Sequence, residues 1–166
     1  RCLGLKNRIG RKGRGDNSKV KKYFQVQFGD KNFYNFLLSI GLSPAKSKKI
    51  GVLLIPDGYF SDFLRGCLDG NGNINYNKHP ESKHLQLRLR ICSASQPFLV
   101  WMKKSIATNT MIKSGWIEFR NKNNSCYYNL CYGKTDAIKL FNFMYYNNVE
   151  NYLLRKYMIA KKFMRV

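Results

Sequence analysis

Acidic side chains are scarce in this chain: nine Asp and Glu stand against thirty Lys and Arg, a formal net charge of +21. Self-repulsion on that scale opposes compaction, so a charge this large points to a polyanionic partner. Histidine is scarcer still, with only His79 and His84. The five cysteines (Cys2, Cys67, Cys92, Cys126, Cys131) form no CxxC pair, so the spacing of a zinc site is missing. They read instead as small buried hydrophobes of a reducing compartment. No apolar run approaches the roughly 20 residues that span a bilayer. No basic helix with one wholly apolar face stands out either. A membrane surface is thereby set aside, and nucleic acid remains as the polyanion. No signal-peptide pattern is visible: the chain opens at Arg1 with CLGL and then basic residues. Its true N-terminus is expected further upstream.

What is present supports a folded core. Hydrophobic residues make up 44% of 166 positions, which excludes a disordered tail and allows one ordinary domain or two small ones. Asn, Lys, Tyr, Phe and Ile, all with AT-rich codons, are abundant. That bias points to an organellar or otherwise AT-rich genome, and the expected location is an organelle (the mitochondrion) or the bacterial cytoplasm.

Residues 6–22, KNRIGRKGRGDNSKVKK, alternate basic residues with glycine and lack an apolar period. They predict an exposed arm between two strands, in which Arg11, Lys12 and Arg14 either contact phosphate or are simply solvated. YFQVQF (23–28) alternates, with Phe24, Val26 and Phe28 on one side and Tyr23, Gln25 and Gln27 on the other. NFYNFLLSIGL (32–42) has helical spacing and Gly41 as its C-cap. Residues 44–56, with Pro44 and Pro56 at its ends, form a linker. The chain before it, 1–43, is thus one hairpin and one helix, ββα, too little to bury its own core.

From Asp57 onward the pattern is richer. Tyr59, Phe60, Phe63, Leu64, Cys67 and Leu68 follow a helical period, and DGNGNINY then opens a strand. HLQLRLRI (84–91) puts Leu85, Leu87, Leu89 and Ile91 on one face and Gln86, Arg88 and Arg90 on the other. A helix over 97–107, a hairpin of strands 111–120 and 125–133 joined by NKNN, a helix over 135–147 with Thr135 as N-cap, and a basic helix over 152–164 follow. Residues 57–166 therefore read αββαββα with an extra helix, and the leading ββα repeats the second part of that pattern. The fold class is α+β.

The helix ending LRGCLDGNG, followed at once by a strand, resembles the motif of the LAGLIDADG homing endonucleases. Leu64, Gly66, Asp69 and Gly72 match the signature. Leu68 is a conservative replacement, Cys67 stands for another hydrophobic residue, and Arg65 replaces a small one. The flanks IGLSPAKSKKIGVLLIPDGYFSD and MYYNNVENYLLRKYMIAKKF are also similar to the mid-chain junction and C-terminal helices of two-motif members. The resemblance implies two motif helices packed side by side through residues such as Gly66, one per half. It implies a saddle-shaped antiparallel sheet along the major groove of duplex DNA. Its nucleic-acid-binding face would carry Gln86, Arg88, Arg90, Lys113, Arg120 and Asn129, with Tyr23, Gln25 and Gln27 in the first half. Arg and Gln pair bidentately with guanine and adenine. Alternation alone fits ordinary solvent-facing strand residues equally well.

The family holds Mg²⁺ through an acid at the eighth motif position, and here that position is Asn71. An amide lacks the charge a hard cation prefers, so metal binding at Asn71 is expected to be weak. The family assigns Asp69 to bracing the helix end. The first motif is also missing, so an upstream segment or another chain is expected to supply the partner helix. Two functions follow: a duplex-DNA-binding relative with impaired cleavage, or a non-cleaving RNA-binding relative such as an intron maturase or a structural protein of an organellar ribosome.

Overall fold

A computed structural model describes residues 4–13, 23–81, 83–122, 125–147 and 149–164. The fold is α+β with antiparallel sheets, and the chain divides into two compact units, 1–36 and 37–166. This break falls ahead of the boundary expected at residue 43.

In the first unit, β1 (Gly10–Lys12) and β2 (Tyr23–Gln25) pair as a short ribbon, with Lys12 opposite Tyr23 and Gly10 opposite Gln25. α1 (Lys31–Ser39) begins in this unit, with Asp30 Oδ1 accepting from the Phe33 N–H at 2.8 Å as an N-cap. The order is the expected ββα. None of the described residues of 4–36 is buried, and Phe24 is 71% exposed. Among the described residues, a ribbon of two three-residue strands is too small to bury a core of its own.

The second unit starts with the end of α1. The Gly41 N–H donates to Leu38 O and the Leu42 N–H to Leu37 O, a Schellman closure with Gly41 at φ +96°. Gly41 thus caps the helix as expected, although the helix stops at Ser39. Residues 44–56 pack into this unit. Leu53 is 3% exposed, and Ser95 Oγ donates to Ile50 O at 2.5 Å.

After a 3-10 turn at Lys46–Lys48, the remaining elements are α2 (Asp57–Asn71), β3 (Gly72–Lys78), β4 (Leu85–Ser93), α3 (Gln96–Thr110), β5 (Trp116–Lys122), β6 (Ser125–Tyr132), α4 (Lys134–Met144) and α5 (Leu154–Met164). Their order is αββαββα plus one helix. The strands form one antiparallel sheet in the order β3-β4-β6-β5, two hairpins joined through β4 and β6. The leucine face of β4 packs under the helices: Leu87, Leu89 and Ile91 meet a core that includes Phe60, Leu64 and Leu68 of α2, Leu99 and Met102 of α3, and Leu140 and Phe141 of α4.

Three expectations need correction. The strand expected over 111–120 starts only at Trp116, because Met111 (φ 61°) caps α3 and Gly115 (φ +99°) turns the chain. A Cβ on Gly115 would lie 2.6 Å from the buried Tyr132 ring, so the turn is closed to other residues. The N-cap of α4 is Gly133, and Thr135 lies inside the helix. Tyr59 of α2 is 68% exposed, outside the apolar stripe assigned to it.

The α2–β3 junction is tight. The helix ends at Asn71 and the strand begins at Gly72, whose N–H donates to Leu68 O. Lys156 of α5, 3% exposed, sends its ammonium to three carbonyls there: Leu68 O (2.6 Å), Asp69 O (2.8 Å) and Gly72 O (2.6 Å). Burial holds its pKa below the ordinary lysine value. Replacing Lys156 by Met keeps the stem but strips Asp69 O and Gly72 O of this donor. The expected loss is about 2–6 kcal/mol of unfolding free energy, at roughly 1–3 kcal/mol for each of the two unsatisfied groups. Urea denaturation checks this, and an unchanged midpoint would exclude the cap as a stabilising feature.

Candidate nucleic-acid interface

Successive strand side chains alternate between faces, and antiparallel partners share a face. With Leu87, Leu89 and Ile91 turned to the core, β4 turns Gln86, Arg88, Arg90 and Cys92 outward. The register then sets Asn77 opposite Gln86, Asn75 opposite Arg88 and Asn73 opposite Arg90 on β3. On the other side, Cys131 of β6 is opposite Arg90 and Asn129 opposite Cys92, with Trp116 and Glu118 next across on β5. Arg120 lies two residues beyond Glu118, opposite Tyr127. One face of the sheet thus gathers amide, guanidinium and aromatic side chains.

Of the residues expected at an interface, Gln86, Arg88, Arg90, Arg120 and Asn129 share this face. Arg88 is exposed and Arg90 is half-buried, its Nη1 3.5 Å from Asn75 Oδ1. Lys113 does not share it: it lies in the loop before β5, exposed. In the first unit, Tyr23, Gln25 and Lys12 share a face of the ribbon. Arg11 is on the opposite one, its guanidinium 5.5 Å from the Phe24 ring centroid. Gln27 lies past the end of β2, where its carbonyl accepts from Asn7 Nδ2 at 3.0 Å. Arg14 lies outside the described residues.

The face also holds residues that the sequence survey passed over: Asn73, Asn75, Asn77, Trp116, Glu118 and Tyr127. The β3 run NINYN alternates as cleanly as β4, and that period was the available signal. Glu118 is the only acid among the outward residues named, and it is engaged. The Trp116 indole N–H donates to Oε1 at 2.9 Å, and Arg120 donates to Oε2 from Nη2 at 2.6 Å and from Nε at 3.2 Å. These bonds hold the Glu118 carboxyl below the usual carboxylate range. The face therefore presents a neutralised acid between two donors.

At the end of α2 the motif residues divide by role. Leu64 and Leu68 are fully buried. Arg65, 8% exposed, donates to Met144 O (2.7 Å) and Asn151 O (3.1 Å) and pairs with Asp62 at 2.5 Å. A motif position expected to be small thus ties down the segment between α4 and α5. Asp69 braces the same segment, accepting from Tyr145 Oη at 3.1 Å and from the Leu153 N–H at 2.9 Å. Gly72 is required, since a Cβ there would lie 2.5 Å from Leu68 O. Gly66 and Gly70, by contrast, sit on an open helix face where an added Cβ meets nothing within 4 Å.

Asn71, exposed, is at the end of that open face and borders a groove of about 740 Å³ with Phe63, Cys67, Cys92, Phe98 and Cys126. Desolvation pushes the Cys67 thiol up to about 12, so it stays protonated and unreactive near neutral pH. Among the described residues, no group of three or more His, Cys, Asp or Glu is gathered as metal ligands. No protein-family model and no curated protein matches this chain.

The Trp116–Glu118–Arg120 chain has a pH signature. A carboxyl with a depressed pKa contributes stability above the unfolded value of about 4.3 and loses it as pH falls through the folded value. The Trp116 indole N–H resonance should therefore titrate at a pH below the ordinary glutamate midpoint, and Glu118→Ala should abolish that titration. A midpoint at or above the ordinary value would contradict the geometry.

Proposed function

We propose that this chain is a nucleic-acid-binding protein of LAGLIDADG type that lays its four-stranded sheet against duplex DNA and does not cut it. The observation that carries this is the single outward face of Asn73, Asn75, Gln86, Arg88 and Arg90 in a chain of net charge +21. Arg pairs bidentately with guanine and Asn or Gln with adenine in the major groove. The surrounding positive charge supplies phosphate affinity. The αββαββα order and the open, glycine-lined face of α2 support the family likeness. That face suits close approach of a second motif helix, from an upstream segment or another chain.

The donor set at the end of α2 supports the absence of cutting. A magnesium ion asks for carboxylate and water oxygens. Asn71 is neutral, and the Asp69 carboxylate is already held by Tyr145 and Leu153. These residues do not fit the family metal. The same observation favours a second reading, a non-cleaving RNA-binding relative, in which the basic face is kept and the chemistry is gone.

Fluorescence anisotropy on a duplex of about 30 base pairs tests binding. Affinity should fall steeply with salt, because phosphate contacts release counterions. The double variant Arg88→Ala/Arg90→Ala should lose roughly tenfold or more, at about 1–3 kcal/mol for each bidentate base contact. Salt-insensitive binding, or an unaffected double variant, would sink the interface. Incubation of the protein with magnesium and duplex DNA should leave the strands intact, and cleavage by the chain as it stands would overturn the second half of the proposal. Tighter binding to a structured RNA than to any duplex DNA would select the second reading.

A further inference from the structure

The β5 edge of the sheet carries a feature that readout of a paired helix does not use. Trp116 is 43% exposed on an edge strand, although a half-exposed indole leaves a large apolar surface in water. Its one polar atom is satisfied along its own strand by Glu118, which Arg120 grips in turn. Those bonds fix the edge of the indole and leave its ring available. Register puts Arg90 in the same cross-strand row as Trp116, with Cys131 between them. An aromatic ring beside guanidinium groups is the arrangement that holds a base by its π-face and the attached phosphate by its charge.

A base inside a continuous duplex cannot use such a ring. Its faces are covered by its neighbours, and only its edges are open in the grooves. Single strands, loops and bulges do offer a free face, and aromatic stacking is the usual way to take it. The outward residues of β3 and β4 are Asn, Gln and Arg with no ring among them before Cys92, so the two hairpins differ in what they can grip.

We propose that Trp116 is a stacking platform for an unpaired base, so that the nucleic acid crossing the β5 edge is single-stranded there. The proposal rests on the sheet being a nucleic-acid interface and adds that a strand beyond the duplex is unpaired where it crosses the β5 edge. Glu118 and Arg120 act as positioning residues for the ring. The charge of the face supplies no such distinction, since phosphates of paired and unpaired strands are alike to it.

The test uses two probes: oligothymidylate of about 12 nucleotides, within the roughly 4–16 nucleotides that single-strand sites span, and a blunt duplex of about 20 base pairs. The chain has two tryptophans, so Trp101→Phe leaves Trp116 as the sole indole emitter. Its emission should be quenched by oligothymidylate and little changed by the duplex. Trp116→Ala should weaken oligothymidylate binding about tenfold or more, within the range of single-base stacking, and duplex binding less than about twofold. Trp116→Phe should retain most of the affinity, because it keeps a π-face. Should Trp116→Ala not fold, as judged by its thermal transition, Trp116→Leu removes the π-face while keeping apolar bulk and should show the same loss. Unchanged oligothymidylate binding in the variant, or equal losses for both probes, would overturn the platform. Absence of salt-sensitive binding to either probe in the unsubstituted chain would instead overturn the interface on which it rests.

Discussion

The Lys156 ammonium is the interaction on which the arrangement of the second unit depends. A helix ends with unsatisfied carbonyls and the negative end of its dipole, and a strand that leaves at once gives it no residues with which to cap itself. Here α2 passes directly into β3, with Gly72 the only concession to the turn. Capping therefore comes from another element, and Lys156 reaches Leu68 O, Asp69 O and Gly72 O from α5. A buried cation without such acceptors would be costly, and carbonyls without the cation would be too. Each requires the other, so α5 must dock on β3 for α2 to end where it does. Arg65 and Asp69 fasten the intervening segment from the α2 side.

Much of this was legible in residue order. The alternation of β4 gave its buried face correctly, because a strand half in a core has a strict period of two. Gly41 was identifiable as a helix stop for the same kind of local reason. What escaped was non-local. Lys156 reads as one more charge in a basic helix, and only the fold brings it to the end of α2. Arg65 reads as a flaw in the motif until the carbonyls of Met144 and Asn151 are placed beside it. The start of β5 was misplaced because Met-Ile-Lys before Trp116 fits a strand on composition, while the αL backbone at Met111 and the turn at Gly115 are invisible to a periodicity count. The linker was misjudged because Pro44 and Pro56 punctuate it, although Leu53 between them is a core residue.

The outward face is organised by exclusion as much as by attraction. A carboxylate among guanidinium groups lowers the positive potential of the face around it. Glu118 is on that face, yet its charge is spent on Arg120 and on the Trp116 N–H. Neighbouring Arg90 contributes further to keeping the carboxyl ionised. The result is a local unit with little net charge within a strongly positive chain. Its consequence is orientation of an aromatic ring, which a mobile side chain on an edge strand would otherwise lack.

The end of α2 is held by contacts from both sides of the helix. An acid at position 71 would add a negative charge at the negative end of the helix dipole, which is unfavourable without a cation opposite. In this chain the cation is built in: Lys156 meets the carbonyls from the inner side, and Asp69 is absorbed by Tyr145 and Leu153. Nothing in the packing of Leu64 and Leu68, the closure at Gly72 or the bracing by Asp69 asks for a carboxylate at Asn71. The helix end is electrostatically complete with an amide. Stability at this helix end therefore favours an amide over a carboxylate at residue 71 unless a further cation lies opposite it.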